Sequence, residues 1–527
     1  MVKSAAEPKP GNRTTLPAWS LPLIVCVLAI RVGSLIFDRG FSSYDDGVAA
    51  EGARLILHGK VPYRDFWTIY APASFYANAL GLAVLGERLI SIRILGLLQA
   101  GVQALLLCAI LRRIGCRSGA IAVSGVVFLA LIPLGTMAFW FTTTLLAAYA
   151  LMRLIERPQS GWGYACGFSI GLTLLFRQDI GVYLSVAALP LVYAATRDRG
   201  ARRLTPLLRV VGVIVVMAAA AAAYFAARGA LPAMLDQAVR FASLEYPGSR
   251  PLPYPAPWHE VLVIGQYSAP ISIAFLFQLY GFYLMPAVLL VLGILSIRRL
   301  RQDGYDRGQM QVAALLWLAL VVFLMVRVRP SGARIVASAT LSVIAYAVLA
   351  ADKNKVVRVG AIAGLCASLA AFIPFGAYTI WAQQAYAPSV IGEKGGVYAA
   401  AGHAECLTVV SAKIRELTSP SERILAGAPV IYFLSDRDPA TRYYEPHPRM
   451  TNTPKTQRAI IQDIERNHTR YFVRSGEWGR ENYFTIEPQW QPRALIDYIA
   501  RNYAVKYDYT FLKIYERKTP FPGLPRT

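Results

Sequence analysis

Two adjacent carboxylates, Asp45 and Asp46, follow the first apolar segment of this 527-residue chain. A carboxylate within hydrogen-bond reach of a hydroxyl can take its proton as a general base, orient that hydroxyl, or bind a divalent cation. Glu51 and Arg54 follow at helical spacing and are further candidates for substrate contacts. Structural roles compete with this interpretation, because Asp caps helices and Glu51 with Arg54 can form an i,i+3 ion pair.

The residues after these acids form a polar and aromatic block at the same apolar boundary. The apolar positions Val48, Leu55 and Ile56 share one sector and polar positions share another, which predicts an amphipathic helix on the membrane surface. Paired carboxylates beside a bilayer suggest chemistry on a lipid-borne substrate. The chain then continues with Lys60-Val61-Pro62-Tyr63-Arg64-Asp65-Phe66-Trp67 and Tyr70-Ala71-Pro72.

Apolar residues make up 55% of the chain and occur in blocks long enough to cross about 30 Å of hydrocarbon. This pattern excludes an ordinary soluble enzyme and predicts a polytopic α-helical membrane protein. The net charge of +23 does not indicate nucleic-acid binding, since Lys and Arg lie between the apolar blocks, where they orient membrane helices. About eleven spans are predicted, near residues 18–37, 90–111, 118–135, 138–153, 161–176, 180–195, 207–227, 272–297, 309–326, 335–351 and 359–382.

Basic residues cluster in every second connection between the predicted spans, and such clusters remain on the cytoplasmic side of a membrane. The pattern predicts a multi-pass protein of the inner (plasma) membrane with a cytoplasmic N-terminus. It places loops 38–88 and 228–271 and residues 384–527 outside the cytoplasm. The clusters are Lys3/Lys9/Arg13, Arg112/Arg113/Arg117, Arg153/Arg157, Arg197/Arg199/Arg202/Arg203, Arg298/Arg299/Arg301/Arg307 and Lys353/Lys355/Arg358.

The composition of the chain changes near residue 383. Residues 1–383 carry all the predicted spans and form a transmembrane module with the two outer loops. Residues 384–527 are mostly polar, and helical patterns alternate there with strand-like runs, which predicts a C-terminal extracytoplasmic α/β domain. The strand-like runs are 423–427, 430–434, 470–473 and 510–515, and the helical patterns are 404–417, 454–467 and 492–502.

Several of these segments together resemble the GT-C superfamily of membrane glycosyltransferases, in the branch that contains the protein O-mannosyltransferases and the lipid A aminoarabinose transferase. Asp45-Asp46 follows the first span, and Glu51 comes six residues after Asp45. The segments that extend the resemblance are His58-Gly59-Lys60, Pro62-Tyr63-Arg64-Asp65-Phe66, Tyr70-Ala71-Pro72, Phe75-Tyr76 and Tyr432-Phe433-Leu434-Ser435-Asp436-Arg437-Asp438-Pro439-Ala440-Thr441-Arg442-Tyr443.

The resemblance implies a GT-C-like helical fold and transfer of a sugar from a polyprenyl-phosphate donor to a lipid, polysaccharide or protein acceptor of the cell envelope. The transfer would invert the anomeric carbon and occur on the extracytoplasmic face. The resemblance also implies that an acidic residue of the first outer loop is catalytic. Asp45 matches that residue by spacing, whereas Asp46 departs from the Asp-Glu pair common in relatives. A divalent cation is the one cofactor it leaves open, since some members use a metal and others do not.

A lipid phosphate that leaves such a donor is an anion and requires positive charge around its oxygens. Arg327, Arg329 and Arg334 are the first candidates, because three guanidiniums in one short outer turn repel one another unless an anion is present. Each of these side chains could instead extend to lipid headgroups. The other candidates, at outer helix ends, are Arg177, Lys60 and Arg64.

Two further segments are candidates for substrate contacts. Asp179 interrupts an apolar run and either lines a cavity or pairs with Arg177. Loop 228–271 is rich in Pro and aromatic residues, and it is suited either to cover a ligand and stack on a sugar or to act as a rigid spacer. Its candidate residues are Tyr254, Trp258 and His259, and His259 has no second metal ligand at suitable spacing.

Two other classes of protein fit part of the pattern. A transporter or flippase of lipid-linked precursors would also have about eleven spans, but it should show halves related by pseudo-symmetry, and the spans show none. A non-catalytic scaffold of an envelope complex would make Asp45 and Asp46 dispensable. Substitution of Asp45 by Asn separates both classes from an enzyme. No residue pattern identifies a particular sugar or acceptor.

Overall fold

The apolar blocks of the chain fold into helices. The computed structural model describes residues 19–132, 135–196, 204–249, 254–256, 263–264, 267–302, 306–328, 330–445, 450–475 and 491–521. Two predicted basic clusters, the N-terminal one and the one at 197–203, lie outside the described residues. The candidate site residues Arg329, Trp258 and His259 also lie outside them.

Seventeen α-helices precede the C-terminal segment in the described part of the chain. They are α1 (Ser20–Gly33), α2 (Asp45–Leu57), α3 (Ala73–Leu85), α4 (Leu89–Arg113), α5 (Ser118–Ala130), α6 (Phe139–Glu156), α7 (Trp162–Phe176), α8 (Gln178–Ala195), α9 (Leu204–Ala227), α10 (Leu231–Met234), α11 (Tyr246–Ser249), α12 (Ile271–Gln278), α13 (Met285–Gln302), α14 (Arg307–Phe323), α15 (Met325–Val328), α16 (Gly332–Leu349) and α17 (Lys355–Tyr386).

Each of the eleven predicted spans coincides with one of these helices or with one continuous helical run. Seven runs in the described residues are long and apolar enough to cross a membrane, while α1, α5 and α7 are apolar but shorter. The prediction of a polytopic helical membrane protein is confirmed. The seven runs are Leu89–Arg113, Gln178–Ala195, Leu204–Ala227, Ile271–Gln302, Arg307–Arg327, Gly332–Leu349 and Lys355–Tyr386.

Two helical runs contain π-helical segments. The first π-helix (Leu235–Glu245) lies between α10 and α11, and the second (Leu279–Leu284) lies between α12 and α13. π-helices are rare and frequently occur at functional positions. The first π-helix packs on the loop before α3, since Phe241 makes an edge-to-face contact with Trp67.

The C-terminal segment has the predicted α/β composition. A four-stranded sheet is formed by β5 (Leu425–Ala426), β6 (Tyr471–Ser475), β7 (Tyr503–Asp508) and β8 (Leu512–Arg517). Its order is β5-β6-β8-β7, and only β5 and β6 are parallel. The helices are α18 (Ala401–Leu417), α19 (Val430–Ser435), α20 (Pro454–Arg466) and α21 (Arg493–Asn502). The strands of the chain are β1 (Val263–Ile264), β2 (Tyr267–Ser268), β3 (Ser389–Val390), β4 (Tyr398–Ala399), β5 (Leu425–Ala426), β6 (Tyr471–Ser475), β7 (Tyr503–Asp508) and β8 (Leu512–Arg517).

Two predicted features of this segment differ from the structure. The run 430–434, predicted as a strand, is the helix α19, and all of its residues are buried. A short continuous apolar run does not distinguish a buried strand from a buried helix. The edge strand β7 has no counterpart among the predicted runs, because Ala504 and Val505 are both exposed and the alternation of apolar residues is lost.

The helix α2 is buried beneath the C-terminal segment. Ten of its thirteen residues are buried, and the five larger apolar or alanine residues among them share one hydrophobic core with α3, α18, α19 and the sheet: Val48, Ala49, Ala50, Ala53 and Leu55. The prediction of a helix is confirmed, whereas its predicted location on the membrane surface is wrong. Two glycines permit this packing: a Cβ on Gly47 would lie 2.3 Å from the backbone nitrogen of Val430, and one on Gly52 would lie 2.5 Å from the ring of Phe75.

Candidate active site

The turn that leads into α2 is held by its own polar groups. The N–H of Ser42 donates to Asp46 Oδ2 at 2.8 Å, and the N–H of Asp45 donates to Ser42 Oγ at 3.0 Å. These reciprocal bonds are like those of a capping box, and they give partners to N–H groups that a helix start leaves unsatisfied.

Asp46 is buried beside an arginine from another helix. Its side chain is 5% exposed and accepts a hydrogen bond from Arg93 of α4. Arg93 also donates to the carbonyl oxygens of Arg39 at 3.0 Å and Gly40 at 3.3 Å. Asp46 therefore fixes the turn to α4, and this geometry favours a structural role for it over the predicted catalytic one.

The C-terminal segment holds the middle of the same turn. The carbonyl of Ser43 accepts from the N–H of Val430 at 3.3 Å, and a 3.0 Å hydrogen bond joins Ser43 Oγ to His403 Nε2. Tyr44 donates from its hydroxyl to Glu445 Oε1 at 2.9 Å. Burial lowers the pKa of His403 to about 4, so its ring is neutral at neutral pH.

Asp45 is the exposed residue of this turn. The residues on either side of it, Tyr44 and Asp46, are buried and bonded to distant segments. The turn therefore holds Asp45 at a fixed backbone position while its carboxylate stays accessible. This accessibility is the property that a carboxylate needs in order to contact an acceptor hydroxyl.

Glu51 and Arg54 form a buried ion pair inside α2. Two hydrogen bonds of 2.9 Å join the guanidinium to both oxygens of Glu51, and the two residues are 2% exposed or less. Arg54 Nη2 also donates to Asp438 Oδ1 at 2.9 Å and to the carbonyl of Arg437 at 3.2 Å. Burial raises the pKa of Glu51, and the Arg54 guanidinium opposes that rise. Substrate has no access here, so the geometry favours a structural role over the predicted substrate contact.

This ion pair continues into a network at the junction with the C-terminal segment. Asp436 accepts from Arg54 at 3.4 Å and from Lys394 Nζ at 2.8 Å, and Lys394 lies 3.5 Å from Glu87. Partial burial alone would raise the pKa of Asp436, but Lys394 and Arg54 outweigh that effect and lower it. The network therefore joins α2, the α3–α4 connection and the segment after α19.

Predicted cations converge at a second place, around the start of α8. Arg177 Nε lies 3.0 Å from Asp179 Oδ1, and its guanidinium lies 5.3 Å from the centre of the Trp140 ring. Arg334 lies close enough to Asp179 for their charges to attract each other. Arg177, Arg327 and Arg334 all lie within electrostatic range of the Tyr183 hydroxyl. Arg327 is exposed, and the others are half-buried. We call these three arginines the arginine cluster.

Aromatic residues and one helix connect the arginine cluster to the first loop. The hydroxyls of Tyr70 and Tyr246 lie within electrostatic range of the Arg177 guanidinium. The helix α3 packs on α2, and its Ser74 Oγ donates to the carbonyl of Phe176 at 3.4 Å, one residue before Arg177. The acidic turn and the arginine cluster therefore belong to neighbouring elements of one assembly.

Two glutamines fix the loop between α2 and α3. Gln178 Nε2 donates to the carbonyls of Ile69 at 2.9 Å and Ala238 at 3.0 Å. Gln237 of the first π-helix accepts from the N–H of Thr68 at 3.1 Å and donates to the carbonyl of Tyr63 at 3.0 Å. These bonds hold the loop against α8 and the π-helix, next to the arginine cluster.

The remaining predicted residues take other positions. Arg64 is exposed and bonds to both oxygens of Asp65, at 2.9 and 2.8 Å. Tyr254 donates to the carbonyl of Phe282 at 2.7 Å, a structural contact with the second π-helix. Lys60 is half-buried near the same loop. Within the described ranges, no three His, Cys, Asp or Glu side chains converge to hold a metal ion.

Several residues of the site were not identified from the sequence. Arg93 carried a usable signal, because an arginine inside an apolar span requires a buried partner. Gln178 and Gln237 carried none, since neutral amides occur at many helix surfaces. His403 lies 360 residues from its partner Ser43, and no local pattern relates the two.

Comparison with known proteins supports the same class of fold. Residues 70–225 match the family model described as dolichyl-phosphate-mannose-protein mannosyltransferase. The acidic turn at 42–46 precedes the matched residues. No curated protein sequence matches the chain.

Several solved structures resemble this one. The crystal structure of ArnT from Cupriavidus metallidurans bound to undecaprenyl phosphate aligns over 97% of this chain and 100% of its own, with a TM-score of 0.51 and 15% sequence identity. The arabinosyltransferase EmbB from Mycobacterium smegmatis aligns over 66% of this chain and 32% of its own, with a TM-score of 0.40 and 17% identity. The resemblance to the GT-C membrane glycosyltransferases is confirmed, and the chain has an ArnT-like fold.

Proposed function

We propose that this protein transfers a sugar from a polyprenyl-phosphate donor to a cell-envelope acceptor on the extracytoplasmic face, with inversion at the anomeric carbon. The family match and the ArnT-like fold support a membrane glycosyltransferase. The undecaprenyl phosphate bound in the ArnT crystal structure supports a polyprenyl-phosphate donor. The basic clusters between spans support the orientation.

The observation that carries the proposal is the exposed Asp45 in a turn whose neighbouring side chains are buried and bonded. The Asp45 carboxylate accepts the proton of an acceptor hydroxyl as that oxygen attacks the anomeric carbon. The bond from that carbon to the phosphate oxygen breaks with its electron pair on the oxygen. Asp46 acts on this step only by fixing the turn through Arg93.

The arginine cluster supplies positive charge for the leaving group. Departure of the polyprenyl phosphate adds negative charge to its oxygens, and guanidinium donors near them lower the barrier. Arg327 and Arg334 are the residues we assign to this contact. Arg177 is partly neutralised by Asp179, so it positions the cluster and holds the ring of Trp140.

The C-terminal segment covers α2 and shapes the acceptor side. Its residues from about 384 onward contribute Val430, His403 and Glu445 to the turn that carries Asp45. We therefore assign the acceptor side of the site to this segment. The boundary near residue 383 remains a prediction, since the two parts share a hydrophobic core.

A substitution at Asp45 tests the proposal. In a strain that lacks the protein, mass analysis of envelope glycans should show the loss of a sugar, and the wild-type protein should restore it. Asp45→Asn removes the proton acceptor and should lower transfer by about 10²–10⁴-fold while the protein remains folded.

The matched control is Asp497→Asn, which changes an exposed carboxylate on α21 and should restore the sugar fully. If Asp45→Asn restores the glycan as well as the wild type does, Asp45 has no catalytic role. If deletion of the protein changes no envelope glycan, the transfer reaction itself is excluded.

A further inference from the structure

A cavity of about 180 Å³ lies at the opposite end of the helix bundle from the arginine cluster. A water molecule needs only about 10–15 Å³ on this scale, so a much larger group fits. The helix α16 begins near Arg334 and ends at the cavity with Leu349, and its eighteen residues span roughly 27 Å at 1.5 Å per residue. The cavity is therefore separate from the proposed active site.

The polar wall of this cavity offers donors and an acceptor. Arg299 Nη1 donates to both oxygens of Asp352, at 2.9 and 2.8 Å, and within the described residues its hydrogen bonds use this nitrogen alone. Gln309 Oε1 is buried and has no hydrogen-bond partner among the described residues. A buried acceptor of this kind is costly unless a ligand or water donates to it.

The surroundings of the cavity are positively charged. Asp352 is the acidic residue of the lining, and Arg299 neutralises it. Arg298 and Arg301 near the end of α13 and Arg307 at the start of α14 are exposed around the same helix ends. Arg299 and Asp352 keep 22% and 18% of their side-chain surface exposed, so the polar wall is open to the exterior.

The other wall of the cavity is apolar. It consists of Ile114, Val312, Val348 and Leu349. A ligand that fills both walls needs an anionic group for Arg299, a hydroxyl donor for Gln309 and an apolar part beside the helix ends. Basic pockets between membrane helices bind anionic lipid headgroups in this manner.

We propose that this cavity binds the phosphate headgroup of an anionic phospholipid that carries free hydroxyls, of the phosphatidylglycerol type. Its phosphate contacts Arg299, a headgroup hydroxyl donates to Gln309 Oε1, and its glycerol backbone packs on Val312 and Val348. The lipid thereby joins α13, α14 and α16 at their ends.

Native mass spectrometry of the purified full-length protein tests the site with three probes: phosphatidylglycerol, phosphatidylcholine and soluble glycerol phosphate. Phosphatidylglycerol should be retained in preference to the other two. Arg299→Gln and Gln309→Leu should each lower its retention about tenfold, the loss expected for one charge-assisted or buried hydrogen bond.

Arg298→Gln is the matched control, because it removes the same charge from an exposed neighbour that does not line the cavity. An equal loss of lipid in this control would overturn the proposal in favour of general surface attraction. Equal retention of phosphatidylcholine or of glycerol phosphate would overturn the assignment to an anionic lipid. If Arg299→Gln fails to fold, Gln309→Leu decides the matter, since it leaves the ion pair intact.

Discussion

Asp45 and Asp46 show how adjacent residues of one type take different roles. On a helix, consecutive side chains point about 100° apart, so a helix covered on one side buries one of them and exposes the other. Asp46 lies on the buried side with Arg93, whereas Asp45 is exposed. The charge of Asp46 is tolerated inside because a guanidinium compensates it, and removal of either partner would leave a buried charge unpaired.

At the scale of single residues, the lowered pKa of His403 leads us to predict that the stability of the protein depends on pH. Burial lowers its pKa to about 4, from an ordinary value of 6.5, so below pH 6.5 the unfolded chain binds a proton that the folded protein excludes. The contribution of neutral, buried His403 to the free energy of unfolding is fully present above pH 6.5. It is lost as the pH falls toward 4, and the loss amounts to at most about 3 kcal/mol.

Thermal unfolding in detergent between pH 4 and pH 7 measures this effect. The variant His403→Asn keeps a polar partner for Ser43 but does not titrate, so its unfolding temperature should fall less steeply with acidification than that of the wild type. Identical slopes for the two proteins would show that His403 does not titrate on unfolding.

At the scale of elements, α2 and α19 approach each other as closely as their backbones allow. The contact is possible because Gly47 has no side chain where α2 meets the start of α19. All of α19 is buried, so it cannot move outward without exposing apolar surface. The packing of these two helices holds Ser43 against Val430 and, with it, the turn that carries Asp45.

The variant Gly47→Ala tests this packing. Its Cβ would lie 2.3 Å from the Val430 nitrogen and 2.8 Å from the Val430 Cα, so the backbones must separate. Such overpacking costs about 1–3 kcal/mol and should lower both the unfolding temperature and transfer.

The matched control is Gly212→Ala in α9, where an added Cβ meets no atom within 4 Å. This variant should be neutral or slightly more stable, because Ala favours helix by about 1 kcal/mol over Gly. Equal stability of Gly47→Ala and the wild type would contradict the close approach of α2 and α19.

At the scale of the whole molecule, the first loop and the C-terminal segment form one folding unit. Residues from α2, α3, α18, α19 and the sheet fill a common hydrophobic core, and Arg54 pairs with carboxylates more than 380 positions away. The membrane helices form a second large core of their own. We therefore expect the structure of the acidic turn to depend on the segment after α17.

A chain that ends at Tyr386 should lose this unit. Its α2 would expose apolar residues and the buried pair Glu51–Arg54, so the first loop should become sensitive to protease while the membrane helices remain folded. Limited proteolysis followed by mass spectrometry locates the cleavage sites. If loop 38–88 of the shortened chain resists protease as well as that of the full-length protein, the two parts are structurally independent.

The sequence by itself determined the membrane helices and most elements of the C-terminal segment, because hydrophobic periodicity and block length act through residues that are neighbours in the chain. The sequence also singled out Asp45, because the segment around this residue resembles the first outer loop of the GT-C glycosyltransferases. The sequence grouped Arg327 and Arg334 with Arg329 as phosphate candidates and gave Arg177 as a separate one, since all of them lie at helix ends on the same predicted side.

Tertiary structure alone decided which of these polar residues remain accessible. Burial of Glu51 and Arg54 depends on α19 and on Asp438, and burial of Asp46 depends on Arg93. The helix at 430–435 likewise forms where the fold provides an enclosed apolar site. Exposure and ion pairing depend on which distant segments pack together. The free energy that stabilises this packing comes from the whole core, so no local sequence pattern predicts it.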